Sequence, residues 1–304
     1  MRIIGKLKAI IIIIIGISMV VSTVGCQGKG GNISVGDLDD EDIKVWVYTT
    51  FYPIYDFAKK IGGDKLIVEN IVPPGVEPHD FEPSPKQIAI FSDADVFIYL
   101  GEPMDPWAEK ISGDLEARGL KVLKAGEGLM ENDDPHIWLD PIIAKELSKR
   151  IFQTIVGADE DNREFYEGNL ASLNEEFDEL DREFKDGLAD ITRKDVVMAH
   201  AAVGYLAKRY GLNQIPITGL SPQEEPSPRK MAELVELVRE RDIKYIFFEE
   251  LASPKFSETI ASEVGADLLV FNPVGGLTLE QIRSGEDYFS MMRRNLENLK
   301  TALE

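Results

Sequence analysis

The chain has 304 residues, of which 44% are hydrophobic and 9% aromatic, and its formal net charge is −21 at pH 7. This composition argues against an intrinsically disordered protein, and the length favours two domains over one. The acidic surface argues against binding to nucleic acid or to anionic lipid headgroups. The single cysteine, Cys26, excludes an intrachain disulfide framework.

The first 25 residues have the pattern of a secretory signal. Three basic residues precede an apolar run over residues 9–21, and Cys26 follows at a lipobox-like site. An apolar core of about a dozen residues is short for a bilayer that needs roughly 20. We therefore predict a signal peptide over residues 1–25 and a lipid on Cys26. Thr23 replaces the aliphatic residue usual in lipoboxes, so plain export and an uncleaved anchor are the alternatives.

Residues 26–42 are Gly-rich and then acidic, without apolar periodicity. Such a segment is typical of a flexible tether, which here would lift the folded part off the membrane. The first predicted strand begins at residue 43.

The next part of the chain alternates between strand and helix. Strands are predicted at 43–48, 66–72, 95–100 and 121–124, and helices at 53–61, from 84, at 106–115 and at 141–155. Proline stands at the start of several of these helices, where its missing N–H would have no partner anyway. The alternation indicates an α/β lobe over residues 43–157, with a mostly parallel sheet flanked by helices.

Residues 161–188 carry apolar side chains at spacings near three and four and contain no proline. This pattern predicts one amphipathic helix about 40 Å long. A coiled-coil dimer is the alternative, but the apolar stripe lasts only about three heptads. We therefore expect a monomer in which a linking segment over 158–190 joins two lobes as a rigid backbone helix.

The alternation then restarts and predicts a second α/β lobe over residues 191–304. Strands are predicted at 195–200, 214–217, 245–249 and 267–271, and helices at 201–211, 228–241, 254–264 and from 288. Ligands of such sheets bind at the carboxyl ends of the strands, so two facing lobes would enclose a ligand between them.

All three histidines of the chain stand at strand ends or in proline-stiffened loops. His79 lies in the loop 76–85, His136 lies between two Asp/Pro pairs in 134–141, and His200 ends a predicted strand. Three neutral imidazoles suit Zn²⁺, whereas Mn²⁺ favours oxygen ligands. The pattern therefore predicts a zinc site in the cleft.

Several neighbouring side chains have structural interpretations. Asp140 precedes Pro141 and is predicted to cap a helix. Asp80 is predicted either to cap a helix or to hold an imidazole in one tautomer. The aromatic side chains nearby are expected to form core or cleft wall: Phe51, Tyr52, Tyr55 and Trp138.

With these residues assembled, the chain resembles the metal-specific solute-binding proteins of ABC importers. The stretches that carry the resemblance are Thr50-Phe-Tyr-Pro-Ile-Tyr-Asp56, residues 72–85, His136-Ile-Trp-Leu-Asp-Pro141, the strand end at His200, and residues 221–228 and 285–292. They span essentially everything from about residue 45 to the C-terminus.

The resemblance implies two α/β lobes joined by one helix, with the metal between the lobes. It implies His79, His136 and His200 as metal ligands, and a histidine at the third position is typical of the zinc branch, where the manganese branch tends to have Glu. It further implies an extracytoplasmic receptor on the outer face of the cytoplasmic membrane that delivers zinc to an ABC permease. Residues 221–228 are expected to be structural, with permease docking as an alternative.

The fourth ligand is where the sequence departs from that family. Family members often supply a carboxylate from the loop after the last strand, but residues 271–276 contain no acid. Water, Glu249 or Glu77 could take the position. A short acidic segment over 127–134 also replaces the His-rich loop of many zinc-type members.

Three other functions compete with the zinc receptor. The same role for manganese or another divalent transition metal is one. A zinc hydrolase is another, because three histidines plus water activate water in such enzymes, although the chain has no His-Glu-x-x-His motif. A surface adhesin is the third. We expect a non-enzymatic receptor whose metal capture weakens as the pH falls.

Overall fold

The computed structural model describes residues 44–304, so the predicted signal peptide, the lipid attachment residue Cys26 and the tether lie outside the described residues. Lys44–Glu304 form one compact unit. None of the helices in this part of the chain is long and apolar enough to cross a membrane.

The first half of the unit is a parallel sheet of four strands. The strands are β1 (Val45–Thr49), β2 (Leu66–Asn70), β3 (Val96–Tyr99) and β4 (Lys121–Lys124), in the order β2-β1-β3-β4. The helices between and after them are α1 (Tyr52–Gly62), α2 (Pro85–Phe91), α3 (Pro106–Ala117) and α4 (Pro141–Ala158). All four residues of β3 are buried, as expected for a central strand covered on both faces.

The second half repeats this order in another parallel sheet. Its strands are β5 (Asp195–Met198), β6 (Asn213–Pro216), β7 (Tyr245–Phe248) and β8 (Asp267–Val270), in the order β6-β5-β7-β8. Its helices are α6 (Gly204–Tyr210), α7 (Pro228–Glu240), α8 (Lys255–Val264), α9 (Leu279–Arg283) and α10 (Tyr288–Leu303). We call β1 to α4 the first lobe and β5 to α10 the second lobe.

The long helix α5 (Arg163–Gly187) connects the two lobes. It packs against α1 and α4 of the first lobe and against α10 of the second. Its buried apolar stripe is therefore covered by the rest of the same chain, as expected for a backbone helix: Tyr166, Leu173, Phe177, Leu180 and Phe184. One hydrophobic core runs through both lobes along this helix.

The predicted fold class is confirmed, and the differences lie at the ends of elements and in one additional short helix. Helix α6 begins at Gly204 rather than at 201, because the backbone after His200 first makes a turn in which the N–H of Ala202 donates to the carbonyl of His200 (2.8 Å). The short helix α9 was not predicted, although Thr278 and Gln281 form the capping box at its start. The domain limits 43–157, 158–190 and 191–304 stay a prediction.

Candidate metal centre

The three histidines meet at one point. The Nε2 atom of His136 lies 3.2 Å from Nε2 of His79 and 3.1 Å from Nε2 of His200. One nitrogen of each ring lies within 4.8 Å of the others, so the three form a group that could hold a metal ion. His136 and His200 are buried and His79 is partly buried. His79 and His136 come from the first lobe and His200 from the second.

His79 is positioned by a short 3-10 turn, Pro78–Asp80, that follows β2. The carboxylate of Glu77 begins this turn by accepting a hydrogen bond from the backbone N–H of His79 (2.9 Å). Pro78 is buried and restricts the backbone further. The loop therefore presents the imidazole of His79 from a stiff support.

His136 is positioned by Asp134, two residues before it. One oxygen of Asp134 lies 3.0 Å from the backbone N–H of His136, which donates to it, and 2.8 Å from Nδ1 of the imidazole. With the Nδ1 proton held by this carboxylate, the lone pair of Nε2 is free to bind a metal. After His136 comes a buried 3-10 turn, Ile137–Leu139, which leads directly into α4.

His200 is positioned by Glu249 in the same way. His200 lies two residues beyond β5, and Glu249 is the first residue after β7. The Nδ1 atom of His200 lies 2.6 Å from an oxygen of Glu249, and both side chains are buried. Because β5 and β7 are neighbouring parallel strands, their carboxyl ends bring the two residues together.

The carboxylates predicted near the site have separate roles. Glu249 holds the His200 ring and Glu77 caps the turn of His79. Neither belongs to the group of three ligand atoms, which among the described residues consists of histidines alone. The prediction that Asp80 caps a helix or holds an imidazole is wrong, because its side chain is exposed and makes no such hydrogen bond within residues 44–304.

Asp140 and Trp138 have the structural roles predicted for them. Asp140 accepts hydrogen bonds from the backbone of Ile142 (2.8 Å) and Ile143 (3.4 Å), and so begins α4. Trp138 is buried, packs edge-on against Phe51 at 4.8 Å between ring centres, and donates its indole N–H to the carbonyl of Pro273 in the second lobe (2.7 Å). These contacts fix the wall of the cleft beside His136.

The electrostatics of the group favour a cation. Burial lowers the pKa of His79 to about 3 and holds the pKa of His136 well below its ordinary value. Burial also acts to lower the pKa of His200, but the carboxylates of Glu249, Glu77 and Asp134 together outweigh it and raise that pKa above the ordinary value. Burial raises the pKa of Asp134 to about 6. A dication among these groups would compensate the buried carboxylates while keeping the imidazoles neutral.

Sequence reasoning missed Asp134 as a functional residue. The signal was present, because Asp134 precedes His136 by two residues, as Glu77 precedes His79. An Asp side chain commonly accepts hydrogen bonds from the backbone two residues on. That the same oxygen also reaches the ring nitrogen depends on the turn at Ile137–Leu139, which the sequence did not reveal.

The structure has two α/β lobes, each with a parallel sheet, which are joined by a long helix and enclose a cluster of imidazoles. This arrangement defines a two-lobed binding protein whose ligand site lies between the lobes. The chain belongs to the family described as zinc-uptake complex component A, periplasmic, whose profile matches residues 47–302.

Known relatives agree with this placement. The high-affinity zinc uptake system protein ZnuA of Bacillus subtilis is 40% identical over 294 residues, with 90% of this chain and 92% of the relative covered. The zinc-binding lipoprotein AdcA of Streptococcus pneumoniae is 39% identical over 279 residues, covering 85% of this chain and 56% of AdcA, so the chain spans about half the length of that relative. The crystal structure of the Zn(II)-bound ZnuA-like domain of AdcA has a TM-score of 0.78 at 40% identity, covering 86% of this chain and 99% of that one.

Proposed function

We propose that the chain is an extracytoplasmic zinc receptor that binds Zn²⁺ between its lobes through His79, His136 and His200 and delivers it to the permease of an ABC importer. The observation that carries the proposal is the convergence of the three Nε2 atoms. The Nε2 atom of His136 lies 3.1 Å from that of His200 and 3.2 Å from that of His79. Zinc in a tetrahedral site lies about 2.0–2.1 Å from each imidazole nitrogen, which separates two such nitrogens by about 3.3 Å. The observed spacing fits that geometry.

We infer water as the fourth ligand. Glu249 accepts a hydrogen bond from Nδ1 of His200, and Glu77 accepts one from the backbone N–H of His79. The loop after β8 offers no acid before Glu280. A site of three imidazoles and one exchangeable water would bind zinc and still allow its release.

Titration of the chelator-stripped full-length chain with Zn²⁺ and, separately, with Mn²⁺ tests the proposal. Calorimetry should give one zinc site per chain and manganese binding weaker by at least about a thousandfold, because imidazole nitrogen suits zinc and manganese prefers oxygen. Manganese binding as tight as zinc binding would overturn the zinc assignment.

Replacing Asp134 by Asn should weaken zinc binding by about 10- to 100-fold, the usual cost of losing a carboxylate that orients a metal-binding histidine. The variant removes the negative charge at Nδ1 of His136 and changes little else. Asp133→Asn is the matched control, because Asp133 is adjacent, exposed and has a positive φ that Asn tolerates. Competition with a chromophoric chelator measures both affinities, and equal loss in the two variants would contradict the role of Asp134.

Zinc affinity should fall as the pH drops from 7 to 5, by at most about tenfold per pH unit for one competing proton. Zinc binds the neutral imidazole, and only His200 has a pKa raised above the ordinary value, so one proton competes with the metal. His79, with its pKa near 3, stays neutral throughout this range. Glu249→Gln should flatten the dependence, because it removes the charge that raises the pKa of His200. Undiminished affinity at pH 5 would exclude a site that needs neutral His200.

We further propose that Cys26 carries a lipid and that the preceding 25 residues are a signal peptide. The sequence pattern supports this, and so does the printed name of AdcA, a lipoprotein. Attachment through lipid is consistent with an acidic chain that anionic headgroups would repel.

A zinc hydrolase would use the same three imidazoles and a bound water. Membership of a zinc-uptake family supports the receptor instead. Turnover of ester or peptide substrates by the zinc-loaded chain, lost in His200→Ala, would favour the hydrolase.

A further inference from the structure

A cavity of about 530 Å³ lies between the lobes, and none of the three histidines lines it. One wall is formed by α1 and the loop Val72–Pro74 of the first lobe, and the other by Gly276, Leu277, Ile282 and Gly285–Asp287 of the second. We call it the α1–α10 cavity. Its volume lies within the range of small-molecule sites. The segments that line it include two stretches that the metal centre does not explain, Thr50–Asp56 and residues 285–292.

A buried carboxylate at this cavity has an unsatisfied oxygen. Asp56 is 7% exposed. Its Oδ1 atom accepts a hydrogen bond from the hydroxyl of Tyr52 (3.3 Å), but its Oδ2 atom has no hydrogen-bond partner. Burial raises the pKa of Asp56 to about 6, in agreement with a carboxylate that lacks full compensation. Such groups are normally paired inside proteins.

The Oδ2 atom of Asp56 lacks a hydrogen bond because two carboxylates, Asp56 and Asp287, share the ammonium group of Lys60. Lys60 donates to Asp287 at 2.7 Å and lies 3.7 Å from Oδ2 of Asp56. Asp287 belongs to the second lobe, where it also begins α10 by accepting from the backbone of Ser290 (2.8 Å). If another cation paired with Asp287, the ammonium of Lys60 could turn to Asp56 and complete both ion pairs.

The rest of the lining favours an organic cation over a metal ion. The cavity is lined by four acids, Asp56, Glu69, Glu286 and Asp287, and by two bases, Lys59 and Lys60. These carboxylates do not lie close enough together to bind one metal ion. Among the described residues, the group of side chains that could hold a metal ion is the histidine cluster. Tyr52, Tyr55, Leu277 and Ile282 supply apolar surface for a carbon chain.

We propose that the α1–α10 cavity binds an aliphatic amine, whose ammonium pairs with Asp287 while its carbon chain lies along the tyrosines and Leu277. This site goes beyond the proposed zinc receptor and does not rest on it. Because residues of both lobes contact the amine, its binding would also hold the lobes together.

Spermidine is the probe, titrated calorimetrically into the chelator-stripped full-length chain at about 0.15 M salt, which screens the general acidic surface. We expect one saturable site with a Kd below about 0.1 mM. The neutral diol 1,8-octanediol should not bind. Failure of zinc binding in a separate titration would leave this result untouched, so the two proposals fail independently.

Two variants locate the site. Asp287→Asn keeps the helix cap, because Asn caps as well as Asp, and should weaken spermidine binding by about tenfold or more. Asp56→Asn should weaken it similarly, because Lys60 is then free to satisfy Asp287 alone. Asp114→Asn, on the exposed side of α3, removes one charge elsewhere and should leave the affinity unchanged. Absence of saturable binding, or equal affinity in all three variants, would overturn the proposal.

Discussion

His136→Ala should reduce zinc affinity by at least about 100- to 1,000-fold. His136 is the central residue of the cluster, since its Nε2 atom is the one within 3.2 Å of both other imidazoles. The binding free energy of a four-ligand zinc site is about 10–16 kcal/mol, so one ligand accounts for about 2.5–4 kcal/mol. The substitution also leaves Asp134 without the ring it holds.

Competition with a chelator at pH 7 measures this loss, and the melting temperature of the metal-free variant shows whether the chain still folds. Lys208→Ala is the control. It removes an exposed ion pair to Glu131 (2.7 Å) in the segment just before His136 but touches no imidazole, and exposed pairs of this kind contribute at most about 1 kcal/mol. An affinity within tenfold of the parent for His136→Ala would mean that the metal binds elsewhere.

Phe177→Ala should lower the free energy of unfolding by about 3–5 kcal/mol, the cost of a large cavity in a core. Phe177 is fully buried in the middle of α5. Its ring packs edge-on against Phe57 of the first lobe at 5.3 Å and against Tyr288 of α10 at 5.8 Å between ring centres. It packs against Phe289 of α10 in a tilted arrangement at 5.0 Å. The aromatic cluster therefore joins both lobes to the long helix.

The matched control is Phe165→Ala on the same helix, where the side chain is 39% exposed and the expected loss is below about 1 kcal/mol. For a unit of this size, Phe177→Ala should lower the melting temperature by roughly 6–20 °C. Metal-free protein must be used, because bound zinc would raise the stability of every variant. Equal melting temperatures for the two variants would contradict a core shared by both lobes.

The fold was largely predictable because its signals are local. The buried run Val96–Tyr99, the proline at the start of α4 and the period of three to four in α5 each identify an element within a few residues. The end of β5 and the start of α6 were not predictable in this way. They depend on the backbone of Ala201, which donates to the carbonyl of Gly219 (2.8 Å) on a different segment.

The meeting of the three histidines followed from topology, since each stands where a strand or loop opens onto the cleft. The orientation of the imidazole rings did not follow from topology, because it depends on the carboxylates that are hydrogen-bonded to them. Glu249 lies 49 residues from His200 in sequence, and its hydrogen bond to the His200 ring depends on how the side chains pack. The α1–α10 cavity could not be predicted from the sequence for the same reason, since Lys60 and Asp287 are 227 residues apart.

Anomalous diffraction at the zinc absorption edge, from crystals of the zinc-loaded chain, tests the central claim most directly. We predict one strong peak between the lobes, about 2.0–2.1 Å from the Nε2 atoms of His79, His136 and His200, with a water as the fourth ligand. A peak coordinated mainly by carboxylates, or one that lies away from these three nitrogens, would contradict the assignment of the site.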